Sequence, residues 1–284
     1  MKLQATDLVC LCGSQDFKEV FTYHAPPKLE VKFQFSERDR YFRQIRQCNA
    51  CGHFRSVHQM NMEALYAGDY VSSTYVDEEG LKRTFTKIVG LDPAHSDNYG
   101  RVKRIQEFSS AYFRRPVNSK PALKVLDVGS GLCVFLYAMK KEGWDCTALD
   151  PDERAVRHAR DFVGVSGVQG DFLQVEKLGK FELITFNKVL EHVKDPVRML
   201  AKAREHLREG GLVYVELPDG KAAQLEGPDR EEFAIDHHHI FSLKSFSILA
   251  TKAGFQVLVI EQVHEPSTKY TLRAFLRNAE EGAS

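Results

Sequence analysis

Lys124-Val125-Leu126-Asp127-Val128-Gly129-Ser130-Gly131 is the stretch whose reading decides the fold. Its apolar run predicts a buried strand. The acid and two glycines that close it predict a turn where backbone approaches a nucleotide-like ligand without Cβ atoms in the way. A dinucleotide fingerprint would carry a third glycine three positions on, where this chain has Val134. Asp127 sits inside the strand end, where it could receive an ammonium group. The turn is expected to open a helix, Leu132 to Lys141, whose first amides can meet an anion or ribose oxygens.

Outward from this turn the chain alternates strand and helix patterns. Strands are predicted at 123–129, 145–150, 167–171, 181–187, 211–217, 255–263 and 269–277, with helical patterns after each of the first few. Such alternation predicts an α/β fold: a Rossmann-like, mostly parallel sheet covered on both faces, with ligands at the carboxyl ends of its strands. The last two strands have no helix between them and are expected to pair as an antiparallel hairpin, an ending that is rare in dehydrogenase domains.

Five segments carry a family resemblance: VLDVGSG at 125–131, ALD at 148–150, QGDF at 169–172, FELITFNKVLEHVKDP at 181–196 and GFQV at 254–257. Together, in this order and spacing, they resemble a class I S-adenosylmethionine-dependent methyltransferase. The resemblance implies that Asp127 helps hold the ligand's amino group, with Gly129 and Gly131 giving room for its methionine portion. Asp150, followed by Pro151, would accept both ribose hydroxyls; the competing reading is that Asp150-Pro151-Asp152 caps the next helix. Asp171 and Phe172 resemble the pair that meets the adenine amine and ring face, and Asn187 and Val189 would line the floor.

The segment after the fourth strand bears on the acceptor. Amino-group methylation of nucleic acid bases commonly uses an Asn/Asp-Pro-Pro-aromatic turn, whereas here Asn187-Lys188-Val189-Leu190-Glu191-His192 points toward oxygen or carbon of a small molecule. Some quinone-directed relatives carry an acid where Lys188 stands and use a metal there; a lysine argues against that metal. Glu191-His192 is read first as structural, pinning the strand end to the next helix. Asp236-His237-His238-His239-Ile240-Phe241-Ser242 is the other concentration of chemistry, because histidine accepts protons near neutral pH. It resembles a pattern in methyltransferases acting on nucleotide sugars, which makes His237 or His239 the candidate base. The structural alternative is a histidine packed over the sheet and bonded to backbone. On an extended chain His237 and His239 would point the same way.

The first 60 or so residues hold Cys10, Cys12, Cys48 and Cys51, with glycine after the second member of each pair. Glycine there permits the tight turn that aims backbone amides at thiolate sulfur, so a structural zinc-ribbon-like site is expected. The first pair is C-x-C rather than C-x2-C, which leaves Cys10 as a weak ligand, or His24, His53 or His58 completing the set. Between the pairs, Phe33-Gln34-Phe35 and the mixed segment 36–45 suggest a short strand. From about 61 to 120 the pattern is helical: Leu65-Tyr66, Tyr70 and Tyr75 precede a helix from Asp77 to Val89, and Ser96 is the expected N-cap of another. These helices would form a lid, with Arg101 either meeting a ligand carboxylate or facing solvent. The expected domains are therefore 1–60, 61–120 and 121–284.

This combination resembles the front two thirds of sugar C-methyltransferases of deoxysugar pathways. Those enzymes continue into another α/β domain that these 284 residues do not include, so O-methylation of a sugar or related metabolite stands equal with C-methylation.

Composition narrows the alternatives. With 43% hydrophobic residues the chain can bury one substantial core, and a formal net charge of zero gives no pull toward nucleic acid or an anionic membrane. No apolar run approaches the roughly 20 residues of a spanning helix, and the start lacks a secretory apolar region. A cytoplasmic protein with a small-molecule acceptor, such as a sugar nucleotide, is expected. An RNA methyltransferase gripping its substrate with the cysteine module, or a non-catalytic methyltransferase-like subunit, are the competing readings.

Overall fold

The computed structural model describes residues 8–27, 30, 41–58, 60, 78–116 and 119–279. The expectations placed on Phe33-Gln34-Phe35, on 36–40, and on Leu65-Tyr66, Tyr70, Tyr75 and Asp77 lie outside these residues. In chain order the elements are β1 (Phe17–Tyr23), β2 (Arg43–Cys48), β3 (Phe54–His58), α1 (Glu78–Val89), α2 (Asp97–Tyr112), β4 (Lys124–Val128), α3 (Val134–Lys141), β5 (Asp145–Asp150), α4 (Glu153–Arg157), β6 (Ser166–Gln169), β7 (Phe181–Asn187) and α5 (Pro196–Lys202). They continue with β8 (Leu207–Pro218), α6 (Gly220–Ala223), β9 (His239–Ile240), α7 (Leu243–Lys252), β10 (Phe255–His264) and β11 (Tyr270–Asn278).

Seven strands form one sheet in the order β10-β11-β8-β7-β4-β5-β6. Strands β4 to β8 run parallel, and β11 pairs antiparallel with both β8 and β10, which is the expected terminal hairpin. The near-continuous apolar runs of β4 and β7 follow from burial on both faces. Leu126, Ile184 and Phe186 pack with Phe246 and Leu249 of α7 on one side. Val125 and Leu183 pack with Ile105 of α2 and Leu136 of α3 on the other. The strand order reverses at β4, leaving a crevice beyond its carboxyl end.

Local chemistry sets the element boundaries. Ser96 caps α2 as expected, its hydroxyl accepting from the Tyr99 amide at 3.2 Å. Helix α3 starts two residues later than the sequence suggests, because Cys133 takes a left-handed φ of 61° and cannot belong to the first turn. Asp152, not Asp150, caps α4.

Helix α2 is tied to the sheet by charge. The Glu216 carboxylate on β8 is buried and meets Arg101 Nη2 at 2.5 Å, Arg273 Nε at 3.1 Å and the Tyr214 hydroxyl at 2.5 Å. Burial alone would raise its pKa, but Arg101 and Arg273 outweigh burial and bring it to about 2. Arg273 also pairs with Glu265 at 2.7 Å.

A second, four-stranded antiparallel sheet has the order β1-β2-β3-β9. Its last strand comes from far along the chain: Phe54 pairs with Ile240 and Arg55 with His239. Its core joins Tyr23, Ile45 and Phe54 to Phe233, Ile235 and Ile240. Gly220 permits this packing, since a Cβ there would lie 2.7 Å from both Ile240 and Phe54. No helix among the described residues is long and apolar enough to cross a membrane.

Glu216→Gln leaves two guanidinium groups without their shared anion, so a loss of about 3–5 kcal/mol is predicted. Chemical unfolding measures it; a midpoint unchanged from the parent chain contradicts the assignment.

Candidate functional site

Asp127 lies at the end of β4 and is 2% exposed. Its Oδ1 accepts from the Thr185 hydroxyl at 2.6 Å and from the Asn187 amide at 2.8 Å, both on β7. Burial raises its pKa to about 7, against the lowering by these two donors. The Asn187 Oδ1 and Ser130 Oγ atoms are buried without a hydrogen-bond partner among the described residues. A raised carboxyl beside orphaned acceptors suits a cation that brings its own donors, such as an ammonium group.

The glycine turn is held from both sides. Gly129 has φ of 70°, and a Cβ there would stand 2.8 Å from Cγ2 of Val189, a stiff side chain that cannot swing away. Val189 therefore packs on the turn, bringing the β7 end and the turn together. The Gly131 amide donates to Asp150 Oδ2 at 2.9 Å, and the Asp152 amide donates to Oδ1 at 2.9 Å. These bonds hold the Asp150 carboxylate, largely buried, at the end of β5, with Pro151 exposed next to it.

Two expected binding residues are placed differently. The Phe172 ring is not an open platform: it is 2% exposed and stands edge-on to Phe186, with centroids 5.8 Å apart. An aromatic at the sheet rim gains more from the apolar core than from water, so only Asp171 of that pair is exposed, its Oδ1 accepting from the Leu173 amide at 2.9 Å. Arg101 neither faces solvent nor reaches outward; its guanidinium is committed to Glu216, with Nε unpartnered among the described residues.

The histidine segment splits. Residues 235–236 turn before β9 begins, so His237 and His239 do not share a face. His239 is 1% exposed, with Nδ1 3.0 Å from His53 Nε2 and Nε2 3.3 Å from the Lys194 carbonyl. Burial drops its pKa to about 3. With both nitrogens engaged inside the protein, it is not placed to take a proton from an acceptor, which corrects that expectation. His237 is partly open; its Nδ1 donates to the Glu232 carbonyl at 2.8 Å, which makes Nε2 the lone-pair nitrogen of the neutral ring.

The His237 ring stands T-shaped to His192 at 4.8 Å, and His192 Nδ1 is 3.4 Å from Asp236 Oδ2. Glu191 is buried with one carboxyl oxygen unpartnered among the described residues, and burial raises its pKa to about 7. Its carbonyl accepts from the His238 and His239 amides at 2.8 and 3.2 Å, so the Glu191 backbone pins the histidine segment. Ligand atoms of Glu191, His192 and His237 lie within 4.8 Å of one another, a set able to hold a metal or to share protons. In the sequence Glu191-His192 reads first as structural; the signal that promotes the pair is an acid and an imidazole so close behind Asn187.

All four expected cysteines converge. Cys10 Sγ is 3.4 Å from Cys51 Sγ, Cys12 Sγ is 3.6 Å from Cys48 Sγ, and all four sulfurs fall within 4.8 Å. Zn–S bonds of about 2.3 Å in a tetrahedron require sulfurs roughly 3.8 Å apart, so the set fits zinc. Burial opposes ionisation of Cys48, but hydrogen bonds from the Cys51 and Ala50 amides and from the Cys10 and Cys12 thiols together outweigh it and bring the thiol to about 7. Both members of the C-x-C pair take part, and His53 is turned away to His239.

A family profile described as "Methyltransferase domain" matches residues 100–260, more than half of the 284. The chain belongs to that methyltransferase family. Among curated relatives, the ubiquinone biosynthesis O-methyltransferase of Bordetella avium (strain 197N) is 30% identical over 129 residues, covering 43% of this chain and 50% of that protein. The enzyme of that name from Escherichia coli O157:H7 is 27% identical over 164 residues, covering 55% and 61%. This methyltransferase thus spans between half and two thirds of the length of those relatives.

Solved structures share its fold. The Burkholderia thailandensis 1,6-didemethyltoxoflavin N1-methyltransferase, solved with its acceptor and S-adenosylhomocysteine, has a TM-score of 0.54 at 20% identity, covering 87% of this chain and 100% of that one. The plantazolicin methyltransferase BpumL, in complex with S-adenosylhomocysteine and a substrate analogue, has a TM-score of 0.56 at 14% identity, covering 74% and 95%.

An ammonium-bearing nucleoside that docks on Asp127 must ionise it. S-adenosylhomocysteine affinity is therefore predicted to tighten about tenfold per pH unit up to pH 7 and to level off above. Asp127→Asn should bind more weakly and without this slope. Calorimetry across pH 5.5–8 tests it; a slope retained in Asp127→Asn places the titrating group elsewhere.

Proposed function

We propose that this methyltransferase takes its methyl group from S-adenosylmethionine and delivers it to a hydroxyl oxygen of a small-molecule acceptor, with nitrogen or carbon as the other acceptor atoms. The observation that carries the reading is the crevice at the ends of β4 and β5, where a buried acid with orphaned acceptors and a second, backbone-held acid flank a glycine turn. When bound, the sulfonium donor supplies an electrophilic methyl. Asp127 and Asn187 hold the amino group, Gly129 and Gly131 leave room for the methionine portion, and Asp150 next to Pro151 takes the ribose hydroxyls. Asp171 meets the adenine amine, Val189 lines the floor, and the buried Phe172 supports that floor from the core side.

Alignment of acceptor, methyl and sulfur accounts for most of the rate in this reading, since positioning alone is worth several kcal/mol. His237 holds the acceptor's proton at Nε2 as the new bond forms, its tautomer fixed by the Glu232 carbonyl. A sugar or nucleotide sugar is the acceptor class favoured by the resemblance of residues 236–242, and the names of the curated relatives favour oxygen. His237→Gln should lower turnover by about 10²–10⁴ while S-adenosylhomocysteine affinity stays within twofold, roughly the contribution of a general base. Labelled-methyl transfer to a metabolite extract, read beside calorimetry, checks this. Undiminished transfer removes His237 from the reaction; lost nucleoside binding moves it to the donor site.

Cys10, Cys12, Cys48 and Cys51 hold a structural zinc in this reading, since four sulfur ligands leave no coordination position for a substrate. Elemental analysis should find about one zinc per chain and background levels in Cys12→Ser, with a lower unfolding temperature. Zinc retained in Cys12→Ser contradicts the four-cysteine site.

A further inference from the structure

Lys188 follows Asn187 at the end of β7 with φ of 59°, a left-handed conformation that residues with a Cβ seldom adopt. Contacts on either side accompany this conformation. The Lys188 amide donates to the Glu216 carbonyl at 3.2 Å, and the next residue, Val189, is the one packed on the Gly129 turn. A non-glycine residue held this way at a crevice is a recurrent mark of a functional position.

Charge makes the position stranger still. The groups acting on the ammonium come from three elements: Lys269 of the β10–β11 turn, Glu216 of β8, and Arg101 and Asp97 of α2. Burial, Lys269 and Arg101 all disfavour its charged form and lower its pKa. The acids that might repay this are engaged. Glu216 serves Arg101, Arg273 and Tyr214, and both Asp97 oxygens accept from Ser267, at 3.0 and 2.6 Å. Among the described residues no carboxylate stands within ion-pair distance of Lys188. Holding an ammonium at a half-buried site without an anion is unfavourable, and a methionine would fill the volume without that cost. Lys188 is half-buried and keeps part of its surface open at the crevice end of β7.

We propose that Lys188 is the acceptor-recognition cation of this site, and that the methyl acceptor carries an anionic group, a carboxylate or a phosphate, which docks on its ammonium. This rests on reading the crevice as a methyl-transfer site and adds to it the charge of the acceptor. Asn187 and Val189 face the donor side of the same turn, so an anion held by Lys188 brings the rest of the acceptor alongside the donor.

Lysine acetylation by acetic anhydride, followed site by site with mass spectrometry, tests this on the full zinc-supplied chain with and without S-adenosylhomocysteine. Benzoate, phenyl phosphate and neutral benzamide serve as probes at matched concentrations. Benzoate or phenyl phosphate should slow labelling of Lys188 about tenfold more than benzamide does, the selectivity expected of a charge-assisted hydrogen bond. Labelling of the exposed Lys221 and Lys252 should not change. The better of the two anions assigns carboxylate or phosphate. Equal effects of anion and amide, or none, overturn the proposal. Lys188→Met should keep its nucleoside affinity and lose any preference among the probes in equilibrium binding, while Lys188→Arg keeps the preference. If the parent chain gives no heat with S-adenosylhomocysteine, the donor reading fails, and the protection of Lys188 still decides the anion site.

Discussion

The hydrogen bonds that Asp127 receives from Thr185 and Asn187 are the constraint on which the rest of the site depends. They tie the end of β4 to the end of β7 at the point where the strand order reverses, and they keep an acid where water is scarce. An acid in that position is costly unless a cation arrives, which makes the crevice selective before any ligand enters. The glycine turn, the Val189 contact and the Asp150 bonds then set the shape of that crevice.

Around this centre the chain is interlocked rather than strung out. Strand β9 leaves the methyltransferase sheet region to finish the small sheet. Ser242, which caps α7, donates to the Cys51 carbonyl at 2.7 Å. The His53–His239 contact lies in the same seam. The cysteine cluster is therefore joined, through these bonds and the β3–β9 pairing, to the segment bearing His237.

The fold was legible because doubly buried strands leave short apolar runs with acids and glycines at their ends, as in VLDVGSG and FELITFN. The cysteine cluster was legible for a similar reason: a turn glycine follows the second cysteine of each pair. What sequence could not show were partnerships across long separations. Arg101 and Glu216 are 115 residues apart, and His53 and His239 are 186 apart. A lone arginine on a helix reads as a solvent or ligand contact, and a histidine string reads equally as a base or as a residue packed over the sheet, until burial reveals the partners. Strand β9, two residues long, has no periodicity to detect. The turn before it is why His237 and His239 part company. In the sequence Lys188 reads only as a missing acid; its left-handed backbone, and the absence of an ion-paired carboxylate among the described residues, are features of the fold.

The central claim is that the buried acid at the β4 end receives the amino group of a sulfonium nucleoside. A crystal structure of the chain with S-adenosylhomocysteine tests it most directly. The account predicts the amino nitrogen within hydrogen-bond distance of Asp127 and Asn187 Oδ1, and the ribose hydroxyls on Asp150. A nucleoside bound elsewhere, or one whose amino group leaves Asp127 unpartnered by any cation, contradicts it.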